Sequence, residues 1–222
     1  GVRMSIMRDR LILLADRQDI TRAGMTFLIE QEDHHCQYKY ISDKVELLEA
    51  LKRSKNAVVI LDYTLFDLNG ADDVLIISQR YPEVNWLLFS TDLNAEFVKS
   101  ITVQGPRIGV LFKESSLSEI KEALNYTING HRYICQRAME MMLMPETKNE
   151  EVSVLTKTET EILIDIANGM TTKEIAERRF SSFHTVNTHR KNIFRKLKVN
   201  NVHEATKYAI RAGLIDTAEY NI

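Results

Sequence analysis

The chain has 222 residues, 44% of them hydrophobic and 27% charged, which is enough apolar material for one large core or two small ones and argues against a disordered chain. No apolar run reaches the ~18 residues of a membrane span, and no secretory signal is expected ahead of the first structured segment. The two cysteines, Cys36 and Cys135, lie far apart without metal-ligand spacing, which excludes a disulfide scaffold and a cysteine zinc site and fits a reducing, cytoplasmic setting.

The net charge of −2 hides an uneven split. Residues 153–222 hold eleven basic and eight acidic side chains, whereas the rest of the chain holds 18 and 23. Within 173–198 the imbalance sharpens to eight basic against two acidic. Such a segment is either a solvated helical face or a footprint for a polyanion, and charge alone does not separate the two.

From Arg10 to about Thr127, short apolar runs alternate with helical patterns. The runs are Leu11–Leu14, Tyr38–Ile41, Ala57–Leu61, Trp86–Phe89 and Gly109–Phe112. Four of the five are continuously apolar, as strands buried on both faces of a parallel sheet must be. Between them, Val45, Leu48 and Leu51, and again Val74, Ile77 and Tyr81, recur at helical spacing. This alternation predicts an α/β fold with a doubly wound, parallel five-stranded sheet over residues 8–127.

A helical connector is expected over roughly 128–144, with Met139, Met141, Met142 and Met144 clustered near its end and packing chiefly on the first domain. The polar, proline-led stretch 145–151 reads as a linker, so 128–152 joins the two domains. From Leu155 onward no strand signal remains. Four short helical patterns run to Ile215, which predicts a smaller all-α, four-helix domain over 153–222.

In open parallel sheets, chemistry gathers at the carboxyl ends of the strands. The residues that end the runs are Asp16, Asp62, Ser90 and Lys113. Each alone is an ordinary strand-end cap. Together, two carboxylates, a hydroxyl and an ammonium make a phosphoryl-transfer constellation, in which Asp62 can be the nucleophile while Ser90 and Lys113 bind phosphoryl oxygens.

At this point residues 10–127 resemble a response-regulator receiver domain, of flavodoxin-like fold, and the whole chain is similar to the NarL/FixJ group of two-domain regulators. Asp62-Tyr63-Thr64-Leu65-Phe66-Asp67-Leu68-Asn69-Gly70 matches the phosphoacceptor loop, usually D-x-x-M-P-x-x-(N/D)-G. The resemblance implies that Asp62 accepts a phosphoryl group from a sensor histidine kinase, and that Mg²⁺ is held by Asp16, Asp62 and the carbonyl of Thr64.

There are departures. Arg22-Ala23-Gly24 resembles the family's R-x-G, and its spacing puts Arg17 where the second, metal-ligating acid should stand. Replacing an oxygen ligand by a guanidinium changes the local charge by two units. At about 4–6 Å that cation would pair with Asp62 and compete with Mg²⁺, giving a phosphorylation-independent receiver as the alternative. Phe66 replaces the loop proline, and Val110 stands where the family has an aromatic that changes rotamer.

In the last seventy residues, Thr156 and Glu159 form a capping box ahead of Ile162, Leu163 and Ile166, and Asn168-Gly169 ends that helix. Thr171-Thr172 opens a second helix and Ser182 caps a third, from Phe183 to about Leu197. Two short helices joined by a tight turn, the second basic, describe a helix-turn-helix. On the third helix Val186, Ile193 and Leu197 form an inward stripe, while Asn187, Lys191 and Arg195 follow one another in steps of four with Thr188 beside them. Amide, ammonium and guanidinium groups in a row suit major-groove readout.

This segment resembles the LuxR-type DNA-binding domain over about 153–218, through Leu155-Thr156, Glu161, Asn168-Gly169, Thr172–Ala176, Thr185-Val186, His189, Ile193, Lys196-Leu197, Val199 and Glu204-Ala205. The resemblance implies base contacts from Asn187, Thr188 and Lys191, and phosphate contacts from Lys173, Thr185 and Arg195. His189 matches a packed family histidine. Arg179 and Ser181 stand where the family prefers aliphatic residues. The expected function is therefore a cytoplasmic regulator of transcription that binds double-stranded DNA as a homodimer and is not an enzyme. A small α/β phosphotransferase would need a substrate pocket and a Gly-rich phosphate loop, and neither is seen. A protein-interaction adaptor that has lost DNA binding is the third reading.

Overall fold

A computed structural model describes residues 10–31, 36–145 and 154–216. The chain divides into two compact units, 1–146 and 147–222.

The first unit is built on strands β1 (Ile12–Ala15), β2 (Tyr38–Tyr40), β3 (Val58–Leu61), β4 (Asn85–Ser90) and β5 (Ile108–Phe112). All pairings are parallel, in the order β2-β1-β3-β4-β5. The register places Leu14 opposite Ile60, Ile60 opposite Leu87 and Leu88 opposite Val110. Every residue of β1, β3, β4 and β5 is buried, because helices cover both faces. Only β2, at the edge, is partly exposed, which is why its run alternates Tyr38-Lys39-Tyr40 instead of reading as continuous aliphatic.

Five helices alternate with these strands: α1 (Asp19–Gln31), α2 (Lys44–Arg53), α3 (Gly70–Arg80), α4 (Ala95–Gln104) and α5 (Leu117–Ile128). Asp43, Asn94 and Ser116 cap α2, α4 and α5 by accepting a backbone N–H of the first turn. Val74, Ile77 and Tyr81 are buried as their spacing predicts, but α2 departs from the pattern. It buries Leu47, Ala50 and Leu51 and leaves Val45 64% exposed. The apolar stripe was displaced because Ala50, small enough to approach the sheet, belongs to the packed face.

The connector also departs from one continuous helix. After α5 the chain runs extended along the edge of β5, where Val110 N–H donates to the Tyr133 carbonyl at 2.9 Å and Cys135 N–H to the Val110 carbonyl at 3.0 Å. Only then does α6 (Gln136–Leu143) begin. This segment satisfies an otherwise open strand edge. Met141 and Met142 pack on the core, whereas Met139 and Met144 are exposed. At the opposite end of the sheet, buried Arg10 ties the chain to the carbonyls of Asn56, Ala57 and Glu83.

The second unit contains α7 (Lys157–Ala167), α8 (Thr172–Arg178), α9 (Phe183–Leu197) and α10 (Val202–Arg211). Both halves of the Thr156–Glu159 capping box are present. Gly169, just past α7, takes φ +87°, the left-handed conformation that a glycine adopts without steric cost. Ile162, Leu163, Ile166, Ile175, Val186, Ile193, Leu197, Ala205 and Ala209 form the core. Among the described residues, no helix is long and apolar enough to cross a membrane.

The connector's seat on β5 needs a glycine. A Cβ added at Gly109 would lie 2.3 Å from the Tyr133 carbonyl oxygen, closer than atoms can approach. Gly109→Ala is therefore expected to destabilise the first unit by about 1–3 kcal/mol. The single tryptophan, Trp86 in β4, reports this in urea titrations, and hydrogen exchange at the Val110 and Cys135 amides should speed up.

Candidate functional site

The order of the sheet reverses between β1 and β3, so the loops that follow these two strands diverge and open a crevice at the carboxyl rim. Asp16 follows β1, Asp62 follows β3, Ser90 ends β4 and Lys113 follows β5. Asp16 and Asp62 are 3% and 2% exposed. Lys113 Nζ lies 2.7 Å from Asp62 Oδ2, 2.9 Å from Asp16 Oδ2 and 2.6 Å from Gln18 Oε1. One ammonium thus spans both carboxylates. Asp62 Oδ1 accepts the Thr64 N–H at 3.0 Å and the Thr64 hydroxyl at 2.6 Å, and Asp16 Oδ1 accepts the Gln18 N–H at 2.8 Å. Burial pushes the Asp16 carboxyl above its ordinary range and the charge of Asp62 adds to this, while the bond from Lys113 opposes it. Ser90 is fully buried and its hydroxyl has no hydrogen-bond partner among the described residues.

Arg17 does not join this cluster, which corrects the expected ion pair with Asp62. It is exposed, and its Nε donates to the Ser42 carbonyl at 3.0 Å. The reason is competition: Lys113, fixed by β5, already fills the space between the carboxylates, and a second cation gains more from water and a free carbonyl. Phe66, in the loop position of the missing proline, is buried. The loop is held by polar contacts instead: Gly70 N–H donates to the Tyr63 hydroxyl at 2.7 Å, Asn69 N–H to Asp73 at 2.8 Å and Lys44 N–H to Asp67 at 2.8 Å.

The resemblance implies Mg²⁺ at Asp16, Asp62 and the Thr64 carbonyl. A hard dication needs several anionic oxygens. Here the third acid is replaced by Arg17, and both remaining carboxylates are engaged by one ammonium. Among the described residues, no group of three or more His, Cys, Asp or Glu is placed to hold an ion.

Two further residues belong to the rim. Gln18 was not marked by any motif. Arg137, on α6, pairs with Glu114 at 2.5 Å and with Asp92 at 3.0 Å, and its guanidinium lies 4.1 Å from the centre of the Phe112 ring. Asp92 lies two residues beyond Ser90 and Glu114 directly follows Lys113, so Arg137 clasps the two loops that carry them. A half-buried arginine in a connector helix gives no sequence signal.

In the second unit, the structure sorts the basic residues into two sets. Lys196 pairs with buried Glu159 at 2.6 Å, Arg178 with Asp165 at 2.9 Å and Arg179 with Glu161 at 3.0 Å. The bond from Lys196 holds the Glu159 carboxyl below its ordinary range, and the Thr156 N–H adds to this. Arg179 therefore covers the position where an aliphatic residue was expected by reaching α7. Arg190, its guanidinium 5.2 Å from the centre of the Phe194 ring, is also packed. Lys173, Lys191 and Arg195 are exposed and have no ion pair or hydrogen bond with any described residue. Lys191, Arg195 and half-buried Asn187 share the outer row of α9, opposite buried Val186, Ile193 and Leu197. Thr185 is exposed, with its N–H capped by Ser182 at 3.0 Å, and the Thr188 hydroxyl donates to the His184 carbonyl at 3.0 Å. His189 is half-buried.

Residues 153–209 match the family model described as bacterial regulatory proteins, luxR family. The chain is 26% identical over 216 residues to the transcriptional regulatory protein LnrK of Bacillus subtilis, covering 91% of this chain and 97% of that one. It is 25% identical over 216 residues to the oxygen regulatory protein NreC of Staphylococcus epidermidis, covering 92% and 99%. Among solved structures, the Salmonella typhimurium RcsB response regulator shares its fold with a TM-score of 0.53 at 19% identity, covering 93% and 99%. The chain thus carries a luxR-family helix-turn-helix domain behind an α/β unit with the fold of the RcsB response regulator, and in this combination it resembles NarL/FixJ-type response regulators.

Removing the ammonium tests the rim. Lys113→Met is expected to cost the first unit about 3 kcal/mol at neutral pH, because two buried carboxylates lose their cation. The Asp16 carboxyl, raised by burial and freed of the opposing bond from Lys113, then binds its proton more tightly in the folded than in the unfolded state. Stability should consequently fall as pH rises through the carboxylate range, and the difference from wild type should shrink on acidification. Urea titrations at a series of pH values, read by Trp86, check this.

Proposed function

We propose that this chain is a DNA-binding regulator of transcription, of the two-component type, and not an enzyme. The C-terminal unit reads double-stranded DNA through α9, and the N-terminal unit governs when it does so. One observation carries the reading: among the described residues Lys173, Lys191 and Arg195 stand exposed with no ion pair, while Arg178, Arg179, Arg190 and Lys196 of the same helix-turn-helix are tied into its framework. A protein that had lost DNA binding would have no reason to keep that division. The relatives named transcriptional regulatory protein and the RcsB structure described as two dimers bound to two parallel DNAs support a homodimer on DNA. Two α9 helices one duplex turn apart, roughly 34 Å, would read a pseudo-palindrome. The cytoplasm is the matching compartment.

Asp62 is the residue proposed to receive a phosphoryl group from a sensor histidine kinase. Lys113 and the unpartnered Ser90 hydroxyl are the groups that would bind the phosphoryl oxygens. A change at Lys113 reaches the connector through Glu114 and Arg137, and Arg137 stands on α6, the last helix of the first unit among the described residues. A second reading, control without phosphorylation, is favoured by Arg17 in place of the third acid. In that reading Lys113, not Arg17, holds Asp62.

Two measurements test these proposals. In gel-shift titrations Lys173→Ala should weaken binding to all duplexes alike and reduce the salt slope by about one, whereas Lys191→Ala should lower discrimination by about 1–3 kcal/mol. Unchanged affinities in both would place the reading face elsewhere. A labelled phosphodonor should label wild type and not Asp62→Asn, with only shallow dependence on added Mg²⁺. Absence of label with and without Mg²⁺ would favour the phosphorylation-independent reading.

A further inference from the structure

The outer row of α9 does not begin at Asn187. Four residues earlier, at the first position of the helix, stands Phe183. Four residues advance a helix by slightly more than one turn, so Phe183 lies roughly 40° from Asn187 and 80° from Lys191, on the same side of the helix. Its side chain is 58% exposed, and its ring contacts no other ring among the described residues. The inward stripe of α9 starts at Val186, so the phenyl group takes no part in the core. A large apolar group is therefore held in water at the N-terminal end of a face that is otherwise amide, ammonium and guanidinium.

In the DNA major groove the apolar feature on the base edges is the 5-methyl group of thymine. The N-terminal residues of a recognition helix are the ones that approach base edges. We infer that Phe183 is a specificity-determining residue that packs against a thymine methyl at one end of each half-site, next to the bases read by Asn187 and Lys191. This rests on the DNA-binding reading and adds to it a base preference that the amide of Asn187 and the ammonium of Lys191 do not supply. A cation or amide gains nothing from the methyl, whereas a phenyl ring removes it from water.

The full-length chain is used to enrich duplexes from a random library, and each thymine of the enriched half-site is then replaced singly by deoxyuridine, which lacks only the methyl. Fluorescence anisotropy is read for wild type, Phe183→Ala and Phe183→Leu. One position should lose roughly fourfold in affinity for wild type, as expected for one buried methyl. That loss should be absent in Phe183→Ala and partly kept in Phe183→Leu. All three proteins should bind an unrelated duplex equally, which shows the variants to be folded. The inference is overturned if no thymine matters to wild type, if the enriched half-site contains none, or if Phe183→Ala keeps the same loss while binding every duplex more weakly. A library from which nothing is enriched overturns the DNA-binding reading itself, and this inference with it.

Discussion

Two carboxylates buried at one end of a parallel sheet repel each other and lose hydration, and they keep their charges only beside a cation. Lys113 is that cation, within 2.9 Å of both Asp16 and Asp62 and only 12% exposed. The arrangement is not a store of stability, since burying three charged groups costs about as much as their attraction returns. Its consequence is conditional stability. The rim is settled only while all three groups are present in their charged forms, so a change at any of them must be answered by the others. Burial raises the Asp16 carboxyl, and the bond from Lys113 opposes that rise.

Position decides where such a response can travel. Lys113 is followed directly by Glu114, and Ser90 is followed two residues later by Asp92; Arg137 holds both acids and covers Phe112. The pairs are solvent-exposed and individually worth little. Their importance is geometric, because one guanidinium cannot keep both partners if the two loops move apart. The extended segment before α6 is fastened to β5 by two backbone hydrogen bonds across Val110, so the connector has a fixed end on the strand and an adjustable end on the rim. The family's switch aromatic is absent at Val110. In this chain that residue serves the connector through its backbone.

Much of this was legible in the sequence, for a physical reason. Strands buried on both faces must be continuously apolar, and helices must announce their caps, so β1 to β5, the Thr156–Glu159 box and the inward stripe of α9 could be read from residue order alone. So could the rim, since polar residues that end parallel strands share one edge. What could not be read was the choice among competing partners. Arg17 looked able to reach Asp62 by number, but only the fold shows Lys113 already in that space. Val45 was set on the buried stripe although it is exposed, because helical spacing fixes a stripe only to within a residue, and a small side chain, here Ala50, can take the close-packed place. Gln18 and Arg137 act through contacts 95 and 45 residues away in sequence, with Lys113 and Asp92, and local pattern contains nothing about them.

The second unit shows the same competition resolved in the opposite sense. Eight basic residues lie within 173–198, and a count treats them alike. Arg178, Arg179 and Lys196 are absorbed by Asp165, Glu161 and Glu159 on α7, so much of the local positive charge braces α8 and α9 against that helix. Lys173, Lys191 and Arg195 have no acid to satisfy them among the described residues and stay exposed. For an exposed lysine the cost of desolvation is deferred until a partner arrives, and the counterions released from a polyanion help to offset it. The acids of α7 therefore act as a filter on the basic residues, cancelling those that would bind indiscriminately from the framework. With Arg190 packed on Phe194, Lys173 on α8 and the row of Lys191 and Arg195 on α9 are left facing solvent, and a row, unlike a patch, can register with the edges of successive bases.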